Sequence, residues 1–87
     1  MVKYTVNKFG TKFWYLDGKL HRPDAPAIQY TDGSTEWWLN GELHREDGPA
    51  CEYADGDKYW FINDHRLSEA EFNAYQILYN NKVTEMN

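Results

Sequence analysis

A fourteen-residue stretch sets the architecture of this chain: WYLDGKLHRPDAPA at residues 14–27 returns as WWLNGELHREDGPA at residues 37–50. The two copies begin 23 residues apart, and a third tryptophan, Trp60, lies 23 residues after Trp37. Self-similarity at a fixed spacing indicates a repeat architecture, in which each unit buries its apolar surface against the next. The 87 residues therefore hold two full units, with a half unit before them and another after them.

Each unit has the pattern of a β-hairpin. An aromatic segment such as Phe13–Leu16 runs directly into a two-residue turn, Asp17-Gly18 or Asn40-Gly41. These dipeptides favour tight hairpin turns, because both central positions need a positive φ. Return strands are expected over 27–31 and 50–54, each followed by an Asp-Gly turn. The sequence therefore predicts an all-β fold, an antiparallel meander of about seven short strands.

The C-terminal part has the pattern of a helix. Ser68 followed three residues later by Glu71 is a capping box, and apolar residues then recur at helical spacing. We predict one helix over about 68–79, with Phe72, Tyr75 and Leu78 packed on the sheet. The chain is expected to be a single domain, 1–87. Its parts are a half repeat (1–12), two repeats (13–35 and 36–58), a half repeat (59–67), a capping helix (68–81) and a frayed tail (82–87).

Alternation along the aromatic strands assigns their side chains to two faces of the sheet. Trp14 and Leu16 share one face, which recurs nearly unchanged in every unit and is predicted to be the core. Its equivalents are Trp37, Leu39, Trp60 and Ile62. The opposite face is also aromatic, and one small domain does not need two such faces, so the second is either covered or a binding surface. That face carries Phe13, Tyr15, Trp38, Tyr59 and Phe61, interrupted by Glu36.

The repeated pattern W-x-x-N-G-x-x-H-R-x-D-G-P-A resembles the MORN-repeat variant, with Ala25 where the second copy has Gly48. The segment from Leu67 to Phe72 is similar to the ending of small bacteriophage proteins with such repeats. The resemblance covers roughly residues 12–73. It implies an array of β-hairpins (MORN-like) that binds a partner and has no catalytic activity.

The charge of the chain is negative and uneven. The formal net charge is -5, yet residues 1–35 carry five lysines and arginines against three acids. Residues 36–71 hold ten acids against three basic residues. A net negative charge argues against direct binding of nucleic acid or of anionic lipid. No apolar stretch is long enough to cross a membrane, and the single cysteine and the lack of a signal sequence favour a cytosolic protein. The resemblance to phage proteins implies that this is the cytoplasm of a bacterial host cell.

The repeated His-Arg pairs, His21-Arg22 and His44-Arg45, are the most evident candidates for chemistry. They either hydrogen-bond the next turn and the aspartate of their own unit, or bind an anion, since arginine suits phosphate and carboxylate groups. Each unit supplies one histidine and one aspartate, fewer than the three or four ligands that a metal site needs. Cys51 has no cationic neighbour in sequence and is expected to be a small buried residue. No metal, no cofactor and no enzymatic activity are predicted.

These features together predict a non-catalytic binding protein. The resemblance to phage proteins suggests that it blocks a bacterial host protein with a basic surface, as an inhibitor of host defence or in host takeover. An acidic face that mimics nucleic acid is one way to do so. The alternatives are a protein that sequesters a nucleotide or other small ligand, and a structural module that forms homo-oligomers. The predicted contact residues are Tyr15, Trp38, Tyr59 and Phe61 with the acids Glu36, Glu42, Glu46, Asp47, Glu52, Asp55 and Asp57.

Overall fold

The computed structural model describes residues 1–80, which form ten β-strands and one α-helix. The helix α1 spans Glu69–Tyr75 and continues as a π-helix over Gln76–Asn80. The antiparallel meander with one C-terminal helix is confirmed, although the strands are shorter and more numerous than expected. They are β1 (Lys3–Val6), β2 (Lys12–Leu16), β3 (Lys19–Leu20), β4 (Ile28–Gln29), β5 (Thr35–Glu36), β6 (Trp38–Leu39), β7 (Glu42–Leu43), β8 (Cys51–Glu52), β9 (Lys58–Ile62) and β10 (His65–Leu67).

The hairpin turns have the geometry that their sequences demand. Asp17, Asn40 and Asn63 have φ values of 52°, 51° and 49°. The residue after each of them also has a positive φ, as a type I′ turn requires. At the third turn this residue is Asp64, with a φ of 68°, where the first two units have glycine. The aspartate keeps the turn because its short polar side chain tolerates this conformation better than most.

The strands form one twisted antiparallel layer. The main sheet has the order β1-β2-β4-β5-β8-β9-β10, and β3 pairs with β2. The hairpin β6–β7 joins this sheet through backbone hydrogen bonds, from Arg22 N–H to Trp38 O (3.0 Å) and from Arg45 N–H to Phe61 O (3.2 Å). The smallest dimension of the molecule is 19 Å, against 50 and 32 Å for the others. No second sheet covers this layer in the part of the chain that the structure describes.

Histidine side chains join each unit to the next. Nδ1 of His21 accepts a hydrogen bond from Asn40 N–H (2.9 Å), and Nδ1 of His44 accepts one from Asn63 N–H (3.0 Å). These amides open the hairpin turn of the following unit and have no partner within that turn. The bond from histidine to the next turn, expected from the sequence, is therefore present in both units. We call this hydrogen bond the inter-unit contact.

The predicted core residues are not the most buried ones. Trp14, Trp37 and Trp60 are only half-buried, as are Leu16, Leu39 and Ile62. The buried apolar residues are instead on or next to the short return strands: Ala27, Ile28, Ala50 and Cys51, with Phe72 from the helix. The return strands β4 and β8 are inner strands, each paired on both sides, so neighbouring strands flank their residues. Position in the strand order thus decides burial in a single layer.

The helical segment has nearly the predicted bounds, but only Glu69–Tyr75 is an α-helix and the rest is a π-helix. Ser68 caps it through the expected capping box: Ser68 Oγ accepts from Glu71 N–H (3.0 Å), and the Glu71 carboxylate accepts from Ser68 N–H (2.7 Å). Phe72 is 1% exposed, and α1 contacts β9 and β10. Leu78, predicted to pack on the sheet, is 59% exposed, because the wider π-helix turns it away from the row of Phe72. Residue 81 and the predicted frayed tail 82–87 lie outside the described residues.

The inter-unit contact predicts a specific loss of stability in His44→Ala. His44 is 7% exposed, and the substitution leaves Asn63 N–H without its acceptor. We expect the free energy of unfolding to fall by about 2 to 3 kcal/mol. Urea unfolding followed by tryptophan fluorescence measures this change. His65→Ala is the matched control, because His65 is exposed, and it should cost less than about 0.5 kcal/mol. Equal losses in the two variants would contradict the assignment.

Burial predicts that the Cys51 thiol is unreactive in the native protein. The side chain is 3% exposed, and burial raises the pKa of the thiol above its usual value. Reaction with a disulfide reagent at pH 8 then requires the sheet to open. We expect the native rate to be at least about 100-fold below that in denaturant, because every 1.4 kcal/mol of opening free energy slows the reaction about tenfold. Similar rates in both conditions would show that β8 is not in the core.

Candidate functional site

One face of the sheet carries a continuous half-buried apolar surface. Tyr15 is directly opposite Leu20, and Trp38 is directly opposite Leu43. Directly opposed residues of antiparallel strands lie on the same face, so each leucine extends the aromatic row. We call this surface the aromatic face. It consists of Tyr15, Leu20, Trp38, Leu43, Tyr59 and Phe61, all half-buried.

The structure thus brings the four predicted aromatic contact residues to one face. Tyr15, Trp38 and Phe61 hold equivalent positions in successive units, and neighbouring units are two strands apart, or about 10 Å. Tyr59 is directly opposite Cys51 and packs edge-on against Tyr53, with ring centroids 5.9 Å apart. The two leucines were missed by the sequence reasoning. Their signal was present, since both stand two residues after a hairpin turn in every full unit.

Glu36 lies at the centre of the aromatic face and is not a free acid. Its Oε1 accepts a hydrogen bond from Trp38 Nε1–H (3.0 Å), and its Oε2 accepts one from the Tyr53 hydroxyl (2.8 Å). Both carboxylate oxygens are therefore used within the sheet. Burial, followed by the hydrogen bond to Glu36, raises the pKa of Tyr53 far above its usual value, and burial and the charge of Glu36 also raise the pKa of Tyr30. Glu36 thus fixes the orientation of the rings around it.

The other predicted acids lie around the rim and not in one patch. Asp55 and Asp57 belong to the turn between β8 and β9, where β9 begins. Glu42 lies directly opposite Leu39, at the other end of the strands. Glu46 and Asp47 follow the His-Arg pair of the second unit. Carboxylates at both ends of the strands surround the sheet with negative charge, but they do not form one regular acidic row.

The opposite face carries two equivalent clefts, each built on a tryptophan covered by an arginine. The Arg22 guanidinium lies 3.9 Å from the Trp14 ring centroid, and the Arg45 guanidinium lies 4.1 Å from that of Trp37. The first cleft measures about 450 Å³ and the second about 400 Å³. Asp24 lines both clefts. Arginine over an indole is a favourable cation–π arrangement, which holds each guanidinium flat against the sheet.

The third His-Arg pair departs from this arrangement, as its spacing predicts. Arg66 lies directly opposite Phe61, where the earlier units have leucine. Its guanidinium covers Tyr59, at 4.5 Å from the ring centroid, on the aromatic face. The half unit therefore has no arginine–tryptophan cleft in the described part of the chain, and it places a cation at the edge of the aromatic face instead.

His44 has a defined tautomer. Because Nδ1 accepts a hydrogen bond from Asn63 N–H, the ring proton lies on Nε2, which donates to Glu46 (3.0 Å). In the first unit Pro23 stands at the position of Glu46, so His21 has no such carboxylate. Both histidines are thus used by the inter-unit contact. Among residues 1–80 no group of three or more histidine, cysteine or acidic side chains is placed to hold a metal ion.

The described residues contain no helix long and apolar enough to cross a membrane. Comparisons with protein-family models, with curated proteins and with solved structures found no match to this chain. The likeness to MORN-variant repeats therefore stands on the repeated residues alone, and the site is interpreted from its own geometry.

Proposed function

We propose that this protein is a non-catalytic binding module whose aromatic face occupies a partner protein that has an apolar patch with a basic rim. The observation that carries the proposal is the incomplete burial of that face. Six large side chains, from Tyr15 to Phe61, are only partly buried, and no second sheet covers them among the described residues. A contiguous apolar surface of this kind, rich in Trp and Tyr, is typical of protein–protein interfaces.

The polar groups around the aromatic face favour a basic partner. Glu36 lies at its centre, and Asp55 and Asp57 lie in the turn where β9 begins. Complementary charge at the rim speeds association and sets specificity more than it adds affinity. The resemblance to small phage proteins makes a bacterial host protein the partner to test first. In this proposal the face blocks the partner, either in a defence system or in another host process.

The order of the aromatic face suits it for tight binding. Trp38 and Tyr53 are held by Glu36 before any partner arrives, and Tyr59 is packed against Tyr53. Rings that are already oriented lose little side-chain entropy on binding, which raises affinity. Catalysis has no comparable support, since the histidines are used within the inter-unit contact and the one thiol is buried.

The proposal predicts that Trp38→Ala weakens partner binding while the domain still folds. The tagged protein is incubated with bacterial lysate, and retained proteins are identified by mass spectrometry. The affinity for the partner recovered is then measured with purified proteins. We expect at least a tenfold loss for Trp38→Ala, because central aromatic residues contribute about 2 kcal/mol or more at interfaces. A thermal melt of the free variant verifies that it is folded.

Phe9→Ala is the matched control, because Phe9 is a 70% exposed aromatic residue outside the aromatic face. It should bind as the unchanged protein does. Raising the salt concentration should weaken the complex steadily if acids at the rim contribute. A partner that is lost from Phe9→Ala and retained by Trp38→Ala would place the interface elsewhere. If no protein is recovered in stoichiometric amount from the lysate, the proposal is wrong for that host.

Self-association is a second candidate, favoured by the edge strand β1. All four of its residues are exposed, and Tyr4 and Val6 are 58% and 53% exposed. An edge strand presents unpaired backbone groups to which another strand can pair. If β1 pairs with a second copy, light scattering should give a dimer, and Val6→Lys should return the monomer. A monomer at all concentrations would exclude this second role.

A further inference from the structure

Arg22 holds a guanidinium that is positioned but largely unused. One of its N–H groups, on Nη1, donates to the carbonyl oxygen of Pro26 (3.2 Å). Its Nε lies 3.9 Å from Asp24 Oδ1, which is too long for a hydrogen bond, and that carboxylate is 89% exposed. A guanidinium carries about five N–H donors, so most of them have no acceptor among the described residues. The stack on Trp14 nevertheless keeps the group in one orientation.

The second unit provides an internal comparison, because its arginine makes three hydrogen bonds where Arg22 makes one. Arg45 Nε–H donates to Asp47 (2.8 Å), and Nη1 donates to both the Pro49 carbonyl (3.1 Å) and the Glu52 carboxylate (3.2 Å). In the second unit, the Glu52 carboxylate therefore contacts an arginine that is stacked on Trp37. In the first unit, Gln29 takes the place of Glu52 and supplies no such carboxylate.

A second substitution accounts for the looser contact to Asp24. In the second unit, a Cβ atom at Gly48 would lie 3.1 Å from the Arg45 Cζ. The first unit has Ala25 at that position, and its methyl group occupies the space that the Arg45 guanidinium uses. Arg22 therefore has to lie a few tenths of an ångström from the position that Arg45 takes. Its Nε is 3.9 Å from Asp24 Oδ1, whereas Arg45 Nε is 2.8 Å from Asp47 Oδ1. Ala25 and Gln29 together leave the guanidinium open.

The strand neighbours of this position are the same in both units. Lys12 lies directly opposite Gln29, as Lys58 lies directly opposite Glu52 in the second unit, and Thr35 is the other partner of both. The first unit therefore keeps the lysine but has a neutral amide in place of the carboxylate, so a carboxylate bound by Arg22 would also lie near Lys12. Asp24 is the acid that lines the adjoining cleft, and it lies on the Nε side of Arg22.

We infer that the first unit contains a carboxylate-binding site, in which the unused N–H groups of Arg22 take a ligand carboxylate as Arg45 takes that of Glu52 in the second unit. The group comes from an acidic side chain or from the C-terminus of a peptide. Trp14 orients the guanidinium, and Gln29 and Lys12 add a donor and a positive charge. Carboxylate is favoured over phosphate because the second unit already seats a carboxylate in the equivalent position, and the planar guanidinium matches it. This site is on the opposite face from the aromatic face and does not depend on the function proposed above.

The test compares ligand binding at Arg22 and Arg45, and then exchanges the glutamine and the glutamate that distinguish the two units. The Nε–H signals of Arg22 and Arg45 are followed by NMR while N-acetylglutamate α-amide, N-acetylalanine or inorganic phosphate is added at constant ionic strength. We expect the Arg22 signal to shift to saturation with the carboxylates while the Arg45 signal does not move. Tighter binding of N-acetylglutamate α-amide would indicate an acidic side chain as the ligand, and tighter binding of N-acetylalanine would indicate a peptide C-terminus. Gln29→Glu should weaken binding at Arg22 at least tenfold, and Glu52→Gln should make Arg45 respond.

Thr31→Glu is the matched control, because it adds the same charge at an exposed position and should change the affinity less than twofold. An Arg22 signal that shifts no more than that of Arg45, or shifts equally with chloride, would overturn the inference. Tighter binding of phosphate than of either carboxylate would also overturn it. If Gln29→Glu does not fold, the response of Arg45 in Glu52→Gln decides the question. No gain there would count against the site.

Discussion

The fold depends on one hydrogen bond that recurs with the repeat: a histidine Nδ1 of one unit accepts the backbone N–H that opens the turn of the next. A tight hairpin turn with positive φ leaves this amide without an acceptor of its own. The histidine supplies it from the neighbouring unit, so the turn is satisfied only when the units are stacked. Units of 23 residues that bury little alone are thereby made cooperative. Because Nδ1 of His21 and Nδ1 of His44 accept this hydrogen bond, that ring nitrogen is not available to bind a ligand.

A single layer held in this way has two faces, and the short helix α1, which contacts mainly β9 and β10, cannot cover either of them completely. The aromatic face keeps its rings ordered through the Glu36 carboxylate, which accepts from Trp38 and Tyr53. The other face covers its tryptophans with arginines, which lie flat on Trp14 and Trp37. Both solutions use polar groups where a larger protein would use a second layer. The consequence is a small domain whose two largest surfaces are rich in the residues that recognise other molecules.

Local chemistry made the turns and the start of the helix predictable. Asn40-Gly41 and the Ser68 capping box depend on residues within four positions of one another, and the structure has both. The core could not be predicted in the same way, because both faces alternate with aromatic residues and periodicity alone does not rank them. Burial followed the strand order, which encloses Ile28 and Cys51 between neighbours. The helical segment ends close to the predicted residue, but the packing of Leu78 was wrong because the π-helix breaks the 3.6-residue spacing on which that prediction relied.

The two arginine–tryptophan clefts show that equivalent residues of a repeat can differ in the number of partners they have within the protein. The second unit keeps the full set of partners, and Arg45 is neutralised by Asp47 and Glu52 within its own unit. The first unit keeps the tryptophan and the arginine. It has Ala25 in place of the glycine that leaves room for the guanidinium, and Gln29 in place of the glutamate that accepts from it. Because the inter-unit contact and the strand pairing hold the backbone in both units, such exchanges leave the arginine in place. A position that is structural in one copy is thus open to a ligand in the other.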